Sequence, residues 1–263
     1  MIMNRFFSII SILSITFIVI SCKPSQRELA VIKTEEAQKY LDSGDTLKAL
    51  SILDSLPALY PKAKFQIDVS KNIKDEVYRQ LIDKKKELLT NAINSITELE
   101  SKFLKEKTEF DLYTQYIPLE QVKIRSRNAT YLQVNLDERG ELYITSNYYG
   151  KAWANHYSVK VYDGDLFAST PRVSSDSRLR TTNTFLDYKW EKVAYTEGCS
   201  DEVIKFIIEN KDKQLKCAFN SYIIFLDKSN IEAIINSYNL SILIKKVGLL
   251  KEEIKLLEKK RFS

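Results

Sequence analysis

Two long stretches of this chain pose the same problem: each carries an apolar stripe that only another surface can cover. Residues 62–116 contain neither Gly nor Pro. Within them Val77, Leu81, Leu88, Ala92, Ile96, Leu99, Phe103 and Phe110 follow at steps of three, four or seven, which aligns them on one helical face. Pro118 ends the segment, so one long helix is expected over 61–117. Near the other end, Leu240, Leu243, Val247, Leu250, Ile254 and Leu257 repeat at steps of 3, 4, 3, 4 and 3, a heptad seam. That predicts a terminal helix over 229–262, with Ser229 and Glu232 at capping-box spacing. Both seams must be buried. The economical solution packs 75–116 against 230–260 as an antiparallel coiled coil; a homo-oligomeric coiled coil through the same seam is the alternative.

Between the two helices the periodicity changes. Leu132, Val134 and Leu136 alternate with Gln133 and Asn135, and Asp137–Gly140 reads as a turn into a strand over 141–146. Ser158–Tyr162 meets Asp163-Gly164, a hairpin signal because both residues tolerate positive φ, and 165–168 returns. A polar loop, 169–184, precedes a strand over 185–195. Ser200 is placed to cap a short helix over 201–210, and 214–219 and 222–226 form a hairpin across Asn220-Ser221. Residues 129–226 are therefore an antiparallel β-rich domain with one helix against it, and the fold class is α+β. The 263 residues suffice for one large domain or two small ones. A net charge of +5 is small for that size and gives weak support to a polyanionic partner.

The first residues read as a leader. Arg5 is followed by an uncharged apolar run of 15 residues, Phe6 to Ile20, which suits a signal-peptide core and falls short of the ~20 a bilayer span needs. Val19-Ile20-Ser21-Cys22 resembles the lipobox of bacterial lipoproteins. The resemblance implies removal of 1–21 by signal peptidase II, acyl chains on Cys22 and a lipidated tether over 22–27. It implies a membrane partner through that lipid and a place in the cell envelope. Lys23, in place of the aspartate that retains enteric lipoproteins at the inner membrane, points to the outer membrane facing the periplasm. An extracytoplasmic location disfavours nucleic acid as a partner.

Ala37, Tyr40, Leu41, Gly44-Asp45, Ala49, Leu50, Leu53, Leu56 and Tyr60-Pro61 resemble one tetratricopeptide repeat over 28–60. One repeat makes no peptide-binding groove, so a plain αα-hairpin is the expectation. Asp45-Thr46-Leu47 and Asp54-Ser55-Leu56 also resemble the O-glycosylation acceptor of Bacteroidetes. With Cys22 acylated, Cys199 and Cys217 remain as an even pair that an oxidising compartment allows to bond. Equally, Cys217, alternating with Leu215 and Phe219, reads as a buried free thiol.

Motifs for catalysis are missing. The single histidine, His156, excludes multi-histidine metal sites, and there is no Gly-x-Ser-x-Gly or His-Glu-x-x-His. Asp163-Gly164-Asp165 lacks the other ligands of a calcium loop. No cofactor, metal or catalytic residue is expected. The most suggestive group is aromatic: Tyr143, Tyr148, Tyr149, Trp153, Tyr157 and Tyr162, with Tyr188 and Trp190. Such faces stack on sugars or grip proteins. Tyr148, Tyr149, Trp153 and His156 are the candidate ligand-binding residues. Lys123, Arg125 and Arg127 alternate as if lining a strand, and Arg172, Arg178 and Arg180 lie in the polar loop. The expectation is a non-enzymatic envelope lipoprotein that binds another envelope protein, with glycan binding as the alternative. Replacing Cys22 with Ala in the native host should abolish cleavage before residue 22 and move the protein from the detergent phase to the aqueous phase. Unchanged processing and partitioning would refute lipid anchoring.

Overall fold

The computed structural model describes residues 24–125 and 128–262. The leader and Cys22 lie outside them, as does Arg127. The fold is α+β, and the described residues divide into two compact units, 24–79 and 80–262.

The first unit is a helical hairpin, α1 (Gln26–Asp42) and α2 (Thr46–Leu59), followed by the first turns of α3 (Lys64–Glu100). Ser25 and Glu28 form a reciprocal capping box at the start of α1, and Asp45 caps α2 by accepting from the Lys48 backbone N–H. Ala30, Ala37 and Ala49 are fully buried, and their small side chains let the helices approach until Leu53 and Leu56 close the core. Asp54 holds Lys74 of α3 at 2.5 Å.

In the second unit, α3 stops at Glu100 instead of running to 117. Phe103 leaves the helical stripe and packs on Leu136 and Leu240. Residues Phe103–Glu106 (β1) and Gln115–Pro118 (β2) pair antiparallel. Between them Asp111 accepts from both the backbone N–H and the hydroxyl of Thr108, a local bond that competes with helix. Phe110, expected on the stripe, is exposed. A short helix, α4 (Leu119–Arg125), follows, so Lys123 and Arg125 are helical and do not alternate along a strand.

The last helix, α6 (Lys228–Arg261), buries Leu240, Leu250 and Ile254 of its predicted seam. It packs antiparallel on α3. Ile96 and Leu99 meet Leu240 and Ile244 near one end, while Lys85 reaches Glu253 at 2.8 Å and Lys86 reaches Glu258 at 3.2 Å near the other. The covered stripe of α3 runs through Ile82, Leu89, Ala92, Ile96 and Leu99. Leu88 is exposed, so the seam sits one residue later at its start than Leu81 and Leu88 suggest. Asp227, accepting from Asn230 at 2.7 Å, caps α6 in place of Ser229.

Two antiparallel four-stranded sheets complete the unit. One has the order β3 (Tyr131–Leu136), β4 (Leu142–Gly150), β8 (Tyr188–Tyr195), β7 (Arg180–Phe185). The other has the order β10 (Tyr222–Phe225), β9 (Lys216–Phe219), β5 (Lys160–Asp163), β6 (Leu166–Ser169). The polar loop expected over 169–184 thus contains the start of β7. Ser200 precedes α5 (Asp201–Glu209), but its side chain makes no cap bond. Leu132, Ile144 and Val193 from the first sheet share one core with Val161, Cys217 and Phe219 from the second, and with Val203 and Ile207 of α5 and Ile231 and Ile234 of α6. Cys217 is buried there and Cys199 is exposed before α5; both are free thiols. Cys217 reads as core because its strand turns it inward with Phe219.

Gly140, in the turn between β3 and β4, fastens α6 to the sheet. Its carbonyl accepts from the Ser241 hydroxyl at 2.6 Å. Its φ is +81°, and a Cβ there would stand 3.0 Å from the Ser241 carbonyl oxygen. Gly140→Ala is expected to lower unfolding free energy by about 1–3 kcal/mol. Chemical denaturation checks this, and an unchanged midpoint would show that the turn carries no such constraint.

Candidate functional site

Strand β8 alternates two kinds of side chain. Glu191, Val193 and Tyr195 face the core and are fully buried, so Tyr188, Trp190 and Lys192 face outward.

The inward side holds a polar cluster. Ser146 Oγ lies 2.7 Å from His156 Nε2 and 3.1 Å from the Tyr195 hydroxyl. His156 Nδ1 stands 3.2 Å from Glu191 Oε2, within ion-pair distance but off the line of a hydrogen bond. The carboxylate also accepts the backbone N–H groups of Asn155 (2.9 Å) and His156 (3.2 Å), and Arg180 reaches it at 3.3 Å. Asn155 adopts φ +48° to present its N–H. Burial pushes the Glu191 carboxyl up. The His156 ring and the two backbone donors outweigh burial and hold it at about 2. Burial also raises the Tyr195 phenol. Hydroxyl, imidazole and carboxylate stand in the order of a nucleophilic triad. Yet Ser146, His156 and Glu191 are 0%, 1% and 0% exposed, so nothing from solvent meets the Ser146 hydroxyl in this conformation. The cluster ties β4, β7 and β8 to the 151–157 connector.

The outward side is open and differently built. Register places Tyr149 opposite Trp190, Asn147 opposite Lys192, and Asn183 and Thr181 opposite the same two residues on β7. Tyr149 stacks on Tyr188 at 4.7 Å with an interplanar angle of 7°, and Trp190 meets Tyr149 edge-on at 6.3 Å. Beside them the Tyr131 hydroxyl donates to Gln133, Gln133 donates to Asn135 at 2.7 Å, and Asn147 donates to Gln133. The result is a ladder of amides along two strands. Over it lies a cavity of about 380 Å³ lined by Arg125, Tyr131, Gln133, Asn147, Trp190 and Lys192, within the size range of small-molecule sites. A smaller hollow of about 140 Å³, between Tyr149, Tyr188 and Asn128, shares Trp190 and Asn183 with it.

The four residues singled out from sequence are not brought together. Tyr149 lies on the outer face. Tyr148, one position earlier, turns inward, is buried and donates to the Ala152 carbonyl at 2.8 Å. Its hydroxyl occupies the space where a Cβ of Gly150 would be, so only glycine fits there. His156 is sealed in the core. Trp153 is 40% exposed with the Lys189 amine over its ring at 5.5 Å. Trp190 and Tyr188 take the places expected of Tyr148 and Trp153. Gln133 and Asn135 belong to this face because they alternate with the core residues Leu132, Val134 and Leu136, and Asn147 joins them only through the β3–β4 register. Among the described residues no group of His, Cys, Asp and Glu could hold a metal ion, and no helix is long and apolar enough to cross a membrane. Compared with known protein families, curated proteins and solved structures, the chain matches none.

The buried cluster has a pH signature. An unfolded Glu titrates near 4.5 and Glu191 in the fold near 2, so the folded state holds this proton less tightly. Its contribution is complete above about pH 4.5 and is lost as pH falls towards 2, up to about 3 kcal/mol. Glu191→Gln should therefore destabilise the protein at pH 7, with the gap from wild type closing between pH 4.5 and 2 in urea unfolding. A gap independent of pH would show that the carboxylate is not held ionised.

Proposed function

We propose that this protein is a lipid-anchored envelope lipoprotein whose β-rich unit binds a carbohydrate on the outer face of the β3-β4-β8-β7 sheet, without catalysing its conversion. The observation that carries this reading is the pairing of aromatic faces with amides on one open surface. A sugar ring has apolar C–H faces and an equatorial rim of hydroxyls. Trp190 and the Tyr149–Tyr188 stack offer flat apolar faces. Gln133, Asn147 and Asn183 line the cavity with amides, and between them these side chains supply N–H and carbonyl groups of the kind that vicinal hydroxyls bond. Lipid anchoring rests on the Val19-Ile20-Ser21-Cys22 resemblance. A binding role is favoured over hydrolysis because the one Ser–His–acid grouping is buried.

A glycan also ranks ahead of the envelope protein suggested by the heptad seam, and ahead of self-association through it. That seam is spent internally: Leu240, Leu250 and Ile254 are buried in the pairing of α6 with α3. Calorimetric titration of the full chain against a panel of envelope oligosaccharides should give saturable binding. Trp190→Ala should weaken it at least tenfold, ~1.4 kcal/mol, while Trp153→Ala leaves it unchanged. Equal losses from both variants, or no saturable binding in the panel, would reject the site.

A further inference from the structure

The charge lining the larger cavity narrows the ligand, given the glycan reading above. The outward positions around it are Tyr131 and Gln133 on β3, Asn147 on β4, Trp190 and Lys192 on β8, and Thr181 and Asn183 on β7. None is acidic, and the charged position is a lysine; Glu191, which also borders the cavity, is fully buried with its carboxylate engaged on the inner face. Lys192 remains reachable from solvent, yet packing around its amine lowers its pKa, and the charge of Arg125 lowers it further. Arg125 and Lys192 both line this cavity. Arg125 has its own acid, Glu106, at 3.2 Å on the rim, with both side chains over a third exposed. Lys192 has no acid within ion-pair distance among the described residues. Its cross-strand neighbours, Asn147 and Thr181, are neutral. A partly desolvated ammonium beside a second cation is unfavourable unless an anion joins them.

We infer that the cavity takes an acidic sugar, whose carboxylate or phosphate sits between the Lys192 amine and the Arg125 guanidinium while its ring lies against Trp190. Lysine supplies a compact charge and arginine a two-pronged donor, which together accept either anion. The contact is an ion pair in a partly open site, so it weakens with salt.

The test compares matched ligands on the full chain by calorimetry: oligogalacturonate against its methyl ester, and mannose 6-phosphate against mannose. The acid of at least one pair should bind tenfold or more tightly than its neutral form, with the preference shrinking from 50 to 500 mM NaCl. The pair that shows the preference identifies the anion as carboxylate or phosphate. Lys192→Gln should erase the preference while leaving the thermal midpoint unchanged, and Lys192→Arg should restore most of it. Acid and neutral forms binding equally would overturn the acidic-sugar assignment and leave the glycan site standing. A preference that survives Lys192→Gln and Arg125→Gln together would also overturn it. If no sugar of either form binds, the glycan reading fails and this assignment fails with it.

Discussion

The buried Glu191 carboxylate fixes the outer face of its sheet as much as the inner. On a strand, neighbours point opposite ways, so sealing residue 191 inside sends Trp190 and Lys192 outside. A one-residue slip of β8 would bury a lysine and a tryptophan and expose the core residues Val193 and Tyr195. Against that slip stand two backbone N–H groups, the imidazole and Arg180, all converging on one carboxylate. A buried charge is costly unless surrounded in this way. Here the surrounding groups come from β7 and the connector while the carboxylate belongs to β8, so satisfying the charge also sets the register. The same alternation on β4 turns Ser146 and Tyr148 inward and Asn147 and Tyr149 outward.

This explains why so much of the architecture could be read from the residues and so little of the site. The hairpin at Asp163-Gly164, the turn ending at Gly140, the α2 cap at Asp45 and the α6 seam are signals carried within one contiguous segment each, and each stands where its local chemistry puts it. The end of α3 is not local. Nothing between 100 and 103 breaks a helix by propensity; Phe103 departs because a pocket formed by Leu136 and Leu240, distant in sequence, accepts its ring. Likewise Trp190 and Tyr149 are 41 positions apart and meet only through the β4–β8 register. Tyr148 and Tyr149 are adjacent and chemically identical, and only the phase of β4 separates core from surface. With an aromatic at both positions, hydrophobicity could not reveal that phase; Ile144 at the far end of the strand sets it.

The α3–α6 pairing bears on partners for a related reason. A heptad seam in isolation predicts association but not with whom. In this protein its apolar positions face α3 and the β1–β2 and β3–β4 segments, and Lys85–Glu253 and Lys86–Glu258 bridge its margin. The seam therefore organises the second unit. It gives α4, whose Gln121 side chain both donates to the Leu132 carbonyl and accepts from the Val134 N–H, a fixed edge of β3 to dock on. Arg125 closes that helix, and its position over the outer face follows from this edge contact.

Two opposite electrostatic solutions thus stand back to back on one sheet. Inside, a carboxylate is fully enclosed and every neighbour is a donor or a cation, so the charge is compensated within the fold. Outside, Lys192 shares its cavity with Arg125 and with neutral amides, so its charge is not. Had the outer cavity served only solubility, an acid at the Asn147 or Thr181 position would have satisfied the lysine across the strand at little structural cost. Both positions instead carry uncharged groups that can bind hydroxyls. The asymmetry between a compensated interior ion and a surface ammonium with no acid beside it is what sets the two faces of this sheet apart.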